Sequence, residues 1–291
     1  MRRSREEDAV SIIIFVLLMF GILVSFLAIQ QSVTVPDQNL DTEFEHSQEV
    51  QSQMIQLRNT VQSVSKTGIS QSTKIKLGTR YRLRPVLQNP LDPWSRLSNS
   101  TMREIIVSNT TALNPETSEY WDGENKTFET EAISNEPSYN IYQSAPTVVY
   151  ENSVVYNNVT DSEGTVGVAV LTKDQEIIDG KYIDIVAVKG NVDMAGRGVK
   201  SLTVSPGSQQ VNTVRVKGEG DKRITLYLPT RLSEDKMDFL ELLRQQVFED
   251  ELTPKGHVIK VQLTADKKHI KIVLEKDQIY YIRLSTVTVG V

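Results

Sequence analysis

The sequence predicts a mainly β, sandwich-like domain with one or two packed helices, carried on an N-terminal transmembrane helix. Three observations lead there. Val10–Ile29 reads VSIIIFVLLMFGILVSFLAI and holds no charge; at about 1.5 Å of rise per residue it is about 30 Å long, the thickness of a bilayer's hydrocarbon core. From Ser72 onward the apolar residues recur mainly with a period of two, as in strands with one buried face. Two stretches, 41–66 and 234–251, repeat instead at three and four, the period of an amphipathic helix.

The 291 residues suffice for one large or two small domains besides the apolar segment. The organisation expected is a charged leader over 1–9, the membrane helix over 10–30, a linker and amphipathic helix over 31–69, and a β-rich domain over 70–291 with subdivisions near 160 and 232. Net charge is −5 and the pI about 5.4, so a general attraction to nucleic acid is not expected. There is no cysteine, which excludes disulfides, thiolate metal sites and thiol nucleophiles. The domain must therefore hold together by its core alone, which its size allows.

Within Val10–Ile29 only two serines and one glycine interrupt the apolar run. A helix pairs every backbone donor and acceptor internally, as lipid demands. A cleaved secretory signal has an apolar region of about 7–15 residues and a small-residue cleavage site. This run is longer, and Ala28-Ile29-Gln30 matches such a site poorly. An uncleaved anchor from Val10 to Ile29, partnered by membrane lipid, is the expectation. Arg2, Arg3 and Arg5 precede it and no basic residue follows closely. The N-terminus is thus expected in the cytoplasm and the bulk of the chain outside the cell membrane.

The leader Met1–Ala9 ends in a small residue directly before the apolar helix. In this the chain resembles the archaeal type IV pilins and archaellins. The resemblance implies that a dedicated peptidase cuts between Ala9 and Val10, and that the surviving helix packs against other pilin-like subunits in a filament core. The glutamate that bacterial members carry at the fifth mature position is replaced here by Ile14. In lipid such packing rests on close contact at small residues, here Gly21 and Ser25.

Gln30–Asn39 reads as a polar break, with Pro36 resisting helix continuation. A second helix is expected over Asp41–Lys66, ended by Gly68. Its apolar positions Val50, Met54, Leu57, Val61 and Val64 form one seam. The seam suits either a helix lying on the following β domain or a coiled-coil stalk, and two heptads are short for a coiled coil. Strands are expected over Thr73–Gly78, Met102–Val107 and Phe128–Ile133, and one or two within Asn140–Asn157. Arg80–Pro93 reads as an extended, basic, proline-bearing loop with Trp94 anchoring it to apolar surface. Its arginines Arg80, Arg82 and Arg84 suit either a solvated face or an anionic partner.

Further strands are expected over Val166–Leu171, Ile183–Val188, Ser201–Val204, Val211–Lys217 and Arg223–Leu228. Ser233 would cap a helix over Glu234–Glu251. A final meander is expected over Val258–Leu263, His269–Leu274 and Ile279–Val289. Candidate N-glycosylation sequons stand at Asn99, Asn109, Asn125 and Asn158, all on the outer side of the anchor.

A second resemblance covers most of the chain, from about Val10 to about Asp235. EFEHSQEVQSQMIQLRNTV (Glu43–Val61), KLGTRY (Lys76–Tyr81), YNIYQSAPTVVYENSVVYN (Tyr139–Asn157), IDGKYIDIVAVKGNVDMAG (Ile178–Gly196) and LYLPTRLSED (Leu226–Asp235) are similar to a family of haloarchaeal membrane-anchored surface proteins. The resemblance implies a pilin-like N-terminus joined to a β-rich outer domain, and it carries over no functional residue. The chain departs from the strongly acidic composition of such proteins, with 32 Lys and Arg against 37 Asp and Glu.

Chemistry-bearing motifs are few. Of the three histidines, His46 sits with Glu43 and Glu49 and reads as helix-surface polarity, while His257 and His269 flank the last hairpin as a surface pair. There is no G-x-S-x-G or H-E-x-x-H motif and no EF-hand pattern. No exposed apolar loop of the kind a membrane-remodelling protein needs is evident outside the anchor. No catalytic residue, cofactor or metal site is expected, and the chain reads as a non-enzymatic, structural or adhesive surface protein. The alternatives are a non-assembling tethered binding domain and an extracytoplasmic enzyme.

Overall fold

A single helical rod organises the molecule: two sheets pack on its C-terminal half and a third backs the far face of the central one. The computed structural model describes residues 2–160, 166–172, 177–230, 258–266 and 268–291. The predicted helix over 234–251 and His257 lie outside them. Strand makes up 45% of the structure and helix 25%, as the mainly β class requires.

The rod comprises α1 (Arg2–Ile29), a π-helical turn (Gln30–Thr34) and α2 (Val35–Thr67). The expected break at Gln30–Asn39 is absent. Pro36 lacks the N–H that would bond four residues back, and its ring crowds that carbonyl. The π turn absorbs both: Val35 N–H bonds to Gln30 O, five residues back, and Pro36 falls in the first turn of α2. The predicted stop holds. Gly68 takes a left-handed φ of 66° and its N–H bonds to Val64 O at 2.8 Å.

The strands are β1 (Gln71–Lys76), β2 (Trp94–Asn99), β3 (Arg103–Ser108), β4 (Thr110–Ala112), β5 (Lys126–Thr130), β6 (Ile133–Ser138), β7 (Thr147–Glu151), β8 (Val154–Thr160) and β9 (Val166–Val170). They continue with β10 (Ile178–Asp179), β11 (Tyr182–Gly190), β12 (Asp193–Gly196), β13 (Val199–Gly218), β14 (Thr225–Pro229), β15 (Val258–Leu263), β16 (His269–Leu274) and β17 (Tyr280–Gly290). The central sheet runs β1-β13-β17-β11-β10, with β4 also on β13. A second runs β12-β2-β6-β7-β8-β9 and a third β15-β16-β14-β3-β5. All pairings are antiparallel except β11 with β17.

The central sheet is buried on both faces. Val186, Val188, Leu202, Val204, Val287 and Val289 join the core around α2, together with Leu97, Ile133, Val148, Tyr150 and Val155 of the second sheet. Ile183, Ile185, Ala187, Val214, Val216, Tyr280, Ile282 and Leu284 join the core of the third sheet. The two predicted strands 201–204 and 211–217 are one strand, β13, that serves both cores. Its register against β17 slips between Pro206 and Gln210 and again between Val211 and Val214. The extra residues reverse which parity points to which face, so Leu202 and Val204 face α2 whereas Val214 and Val216 face the third sheet. Gly207 stands at the first slip, where a Cβ would meet Thr286 at 2.8 Å.

The expected final meander is also only half present. β15 and β16 form the hairpin, but β17 leaves for the central sheet and pairs with β11 and β13. Trp94 opens β2 and remains 40% exposed instead of sealing the loop before it. The Phe128–Ile133 stretch divides between β5 and β6.

Candidate functional site

From Ile12 to Ile29 the rod is bare. Phe20 is 64% exposed and Ile22 72%, and of the large apolar side chains from Ile12 to Ile29 all but the half-buried Leu27 are at least 46% exposed. Mean hydropathy here reaches 3.2, and the helix is long and apolar enough to cross a membrane. Ser25 donates its hydroxyl to Gly21 O at 2.8 Å, so the segment's polar side chain needs no outside partner. Ile12 and Ile29 bound this described surface, and the Ala9–Val10 junction lies within the unbroken helix α1.

Past Ile29 the same rod enters the β domain and is held by polar clamps at two levels. The first is around Glu43. Its carboxylate accepts three successive backbone N–H groups, from Asn140 (2.8 Å), Ile141 (3.0 Å) and Tyr142 (2.6 Å), and the Tyr81 hydroxyl donates to it as well. Such a run of N–H groups is a natural anion cradle. One turn on, His46 Nε2 lies 3.1 Å from Lys76 O and Nδ1 2.6 Å from the Tyr139 hydroxyl. A carbonyl can only accept, so Nε2 carries the proton and Nδ1 accepts from Tyr139. Burial holds the His46 pKa below its ordinary value, and burial raises those of Tyr81 and Tyr139, which keeps both phenols as donors. The reading of Glu43 and His46 as surface polarity is therefore corrected: Glu43 is fully buried and His46 is 2% exposed. A periodicity reading missed them because Glu43 and His46, seven and four positions ahead of Val50, are polar and look solvated until a loop folds over them.

The second clamp is at the β7–β8 turn. Asn152 and Ser153 both take positive φ, 48° and 65°, making the two-residue hairpin turn whose twist suits the strands. Arg58 Nε donates to Ser153 O at 2.9 Å and Gln62 Nε2 to Ser153 Oγ at 2.6 Å. Along the same face, Met54, Leu57, Val61 and Val64 are fully buried. The seam is consumed by the chain's own domain and nothing of it remains for a coiled-coil partner.

The Arg80–Pro93 tract is an irregular loop that descends along α2 towards α1. Its neck is closed by the bridge between Gly78 and Trp94 and by the bond between Ser95 N–H and Leu77 O. Gly78 is needed there, since a Cβ would lie 2.5 Å from Pro93 O. Arg84 donates to Gln38 Oε1 (2.8 Å), Asn39 Oδ1 (3.2 Å) and Asn89, while Gln31 and Gln88 exchange two bonds (2.8 and 3.0 Å). Leu83 is 93% exposed, Leu91 79% and Val86 71%. This corrects the expectation that no apolar loop is exposed outside the anchor.

The four sequons differ. Asn125 is exposed in the turn before β5. Asn99 uses both amide hydrogens, on Glu131 Oε2 (3.0 Å) and Gly190 O (3.2 Å), and accepts from Val192 N–H at 3.3 Å. Asn109 donates to Arg223 O at 3.1 Å, and Asn158 is half-buried in β8. Among the described residues no group of three or more His, Asp or Glu is placed to hold a metal ion. His269 is half-buried on β16 and faces Pro229 across the pair. Comparison of the chain with protein-family models, with curated proteins and with solved structures finds no match.

Proposed function

We propose that the chain is a single-pass surface protein whose apolar N-terminal helix anchors it in the cell membrane, with the N-terminus cytoplasmic and the β domain outside, and that it is a pilin-like structural or adhesive subunit of an archaeal cell surface. One observation carries the reading: a single rod is bare and apolar around its whole circumference in one half, and gripped by two sheets in the other. A free-standing apolar helix is stable only in lipid or among other apolar helices. Because the rod is continuous, packing of bare halves would position each β domain rigidly around them. The bulk of that domain suits a minor or specialised subunit. The role is structural and needs no cofactor or catalytic step. The pilin-like part follows from the likeness of the leader and of the longer tracts to archaeal surface proteins.

The test is the mass of the N-terminal peptide of protein isolated from its native envelope. A mature terminus at Val10 supports pilin-type processing and directs the search to filaments. An intact Met1–Ala9 leader removes the pilin-like role and leaves a tethered surface domain. A terminus beyond Ile29 removes the anchor.

A further inference from the structure

We propose that the loop tip Arg82–Asn89 is a membrane-contacting foot, which sets its apolar side chains into the interfacial layer beside the anchor and Arg82 against lipid phosphates. The inference rests on the anchor reading and adds a second, independent contact with the bilayer.

Position is the first ground. Gln31 lies two residues past Ile29, so about 3 Å beyond the apolar segment along the helix axis. Gln88 is tied to Gln31 by two hydrogen bonds, which fixes the loop tip at that level. The loop starts far higher, where Tyr81 meets Glu43, so it descends about 18 Å along the rod towards the anchor. The polar interfacial layer on each side of a hydrocarbon core is about 5–8 Å deep, and a tip at this level lies within it.

Composition is the second. Asn89 Nδ2 donates to Arg82 O at 2.9 Å, pinching the tip closed. Between these two residues Leu83 and Val86 project as two of the most exposed apolar side chains outside α1. Water offers such side chains nothing, whereas the boundary between headgroups and acyl chains suits them. Arg82 is exposed and forms no ion pair among the described residues. An arginine flanking apolar side chains at a bilayer surface meets phosphates, which it binds in a bidentate fork. Asp37 and Asp41 are exposed on the neighbouring turns of α2, and neither pairs with Arg82.

The loop is also braced for load. Arg84 bonds to Gln38 and Asn39, Asn140 Nδ2 donates to Leu91 O at 2.7 Å, and Tyr81 N–H donates to Asp92 at 3.2 Å. With Gln88 on Gln31 and Tyr81 on Glu43, the Arg84 bonds tie the loop to the rod at three levels.

The absence of native cysteine allows a direct test on the full chain in vesicles of zwitterionic lipid, with and without added anionic lipid. Single substitutions Val86→Cys, Leu83→Cys, Phe20→Cys and Lys74→Cys each carry an environment-sensitive fluorophore, with spin-labelled lipids as quenchers at headgroup and mid-chain depth. The expected result is a blue shift and strong headgroup-depth quenching at 86 and 83, mid-chain quenching at 20 and none at 74. Stronger quenching at 86 on adding anionic lipid, diminished by Arg82→Gln, assigns the phosphate contact. If 20 is quenched and 86 behaves like 74, the foot is overturned and the anchor stands. A blue shift at 86 without lipid quenching means that another copy of the chain covers the tip, which also overturns it. If 20 is not quenched, anchor and foot fall together.

Discussion

The two halves of the rod are the same secondary structure in opposite surroundings. From Ile12 to Ile29 apolar residues occupy every face and, Leu27 apart, stay exposed; in α2 they form one seam, and Met54 and Leu57 are fully buried. Helix formation itself does not distinguish them, because main-chain bonds are satisfied alike in both. What differs is the circumferential pattern, and it decides which solvent each half needs. A seam requires one packing partner, which the chain supplies from its own sheets. A uniformly apolar surface requires an apolar environment on all sides, which this domain does not supply.

The largest effect that would break this contrast is expected in the buried seam. Leu57→Ala should cost about 3 kcal/mol in domain stability by denaturant unfolding, whereas Phe20→Ala should leave the domain's unfolding midpoint unchanged. The converse change sharpens it. Leu23→Asp should weaken membrane insertion by about 3 kcal/mol, read as protein lost from the membrane fraction, with the domain still folded by near-ultraviolet circular dichroism. Next comes the clamp around Glu43. Glu43→Gln replaces one of the two oxygens that accept three backbone N–H groups, and should cost about 2 kcal/mol in the same unfolding assay, with Tyr81→Phe costing less.

A smaller, pH-dependent term belongs to His46. Its folded pKa lies below its ordinary value near 6.5, so the unfolded chain takes up a proton first as pH falls. The stability linked to neutral His46 is complete above about 6.5 and is lost as pH falls through the lower folded pKa. Glu49 and Lys76 also act on the ring, in opposite directions. Unfolding midpoints measured from pH 8 down to pH 5 should fall, and His46→Gln should flatten that limb. The smallest expectation concerns glycans. If the sequons are occupied in the native host, glycopeptide mass spectrometry should find Asn125 modified ahead of Asn99, whose amide hydrogens are both engaged in the fold.

Much of the architecture is legible along the chain because it is local. The bare helix, the seam of α2, its glycine stop and most strands follow from periodicities of 3.6 and 2. Departures occur where a distant partner decides. Pro36 marks a break by local rules, but Gln88 bonded to Gln31 within the turn and Arg84 bonded to Gln38 and Asn39 just past it favour an unbroken rod, which a π turn accommodates. β13 shows two apolar runs separated by Pro206 and Gly207, which read as a turn between strands. Only the partner strand β17 makes them one strand with a register slip. Glu43 and Tyr81 are far apart in sequence, so their pairing has no local signature. The foot had a faint one, in apolar residues alternating with arginines over Arg80–Val86, but its height along the rod depends on the Gln31–Gln88 bonds.

By itself, then, the sequence determined which segments are helix and strand and that one helix is too apolar for water, since these depend on neighbours within a turn or a pleat. Tertiary structure alone decided that apolar helix and domain share one continuous rod, that a buried carboxylate locks it, and that a loop reaches back to the edge of the apolar segment. Each of these is a contact between residues remote in sequence, whose formation depends on the geometry of the whole fold.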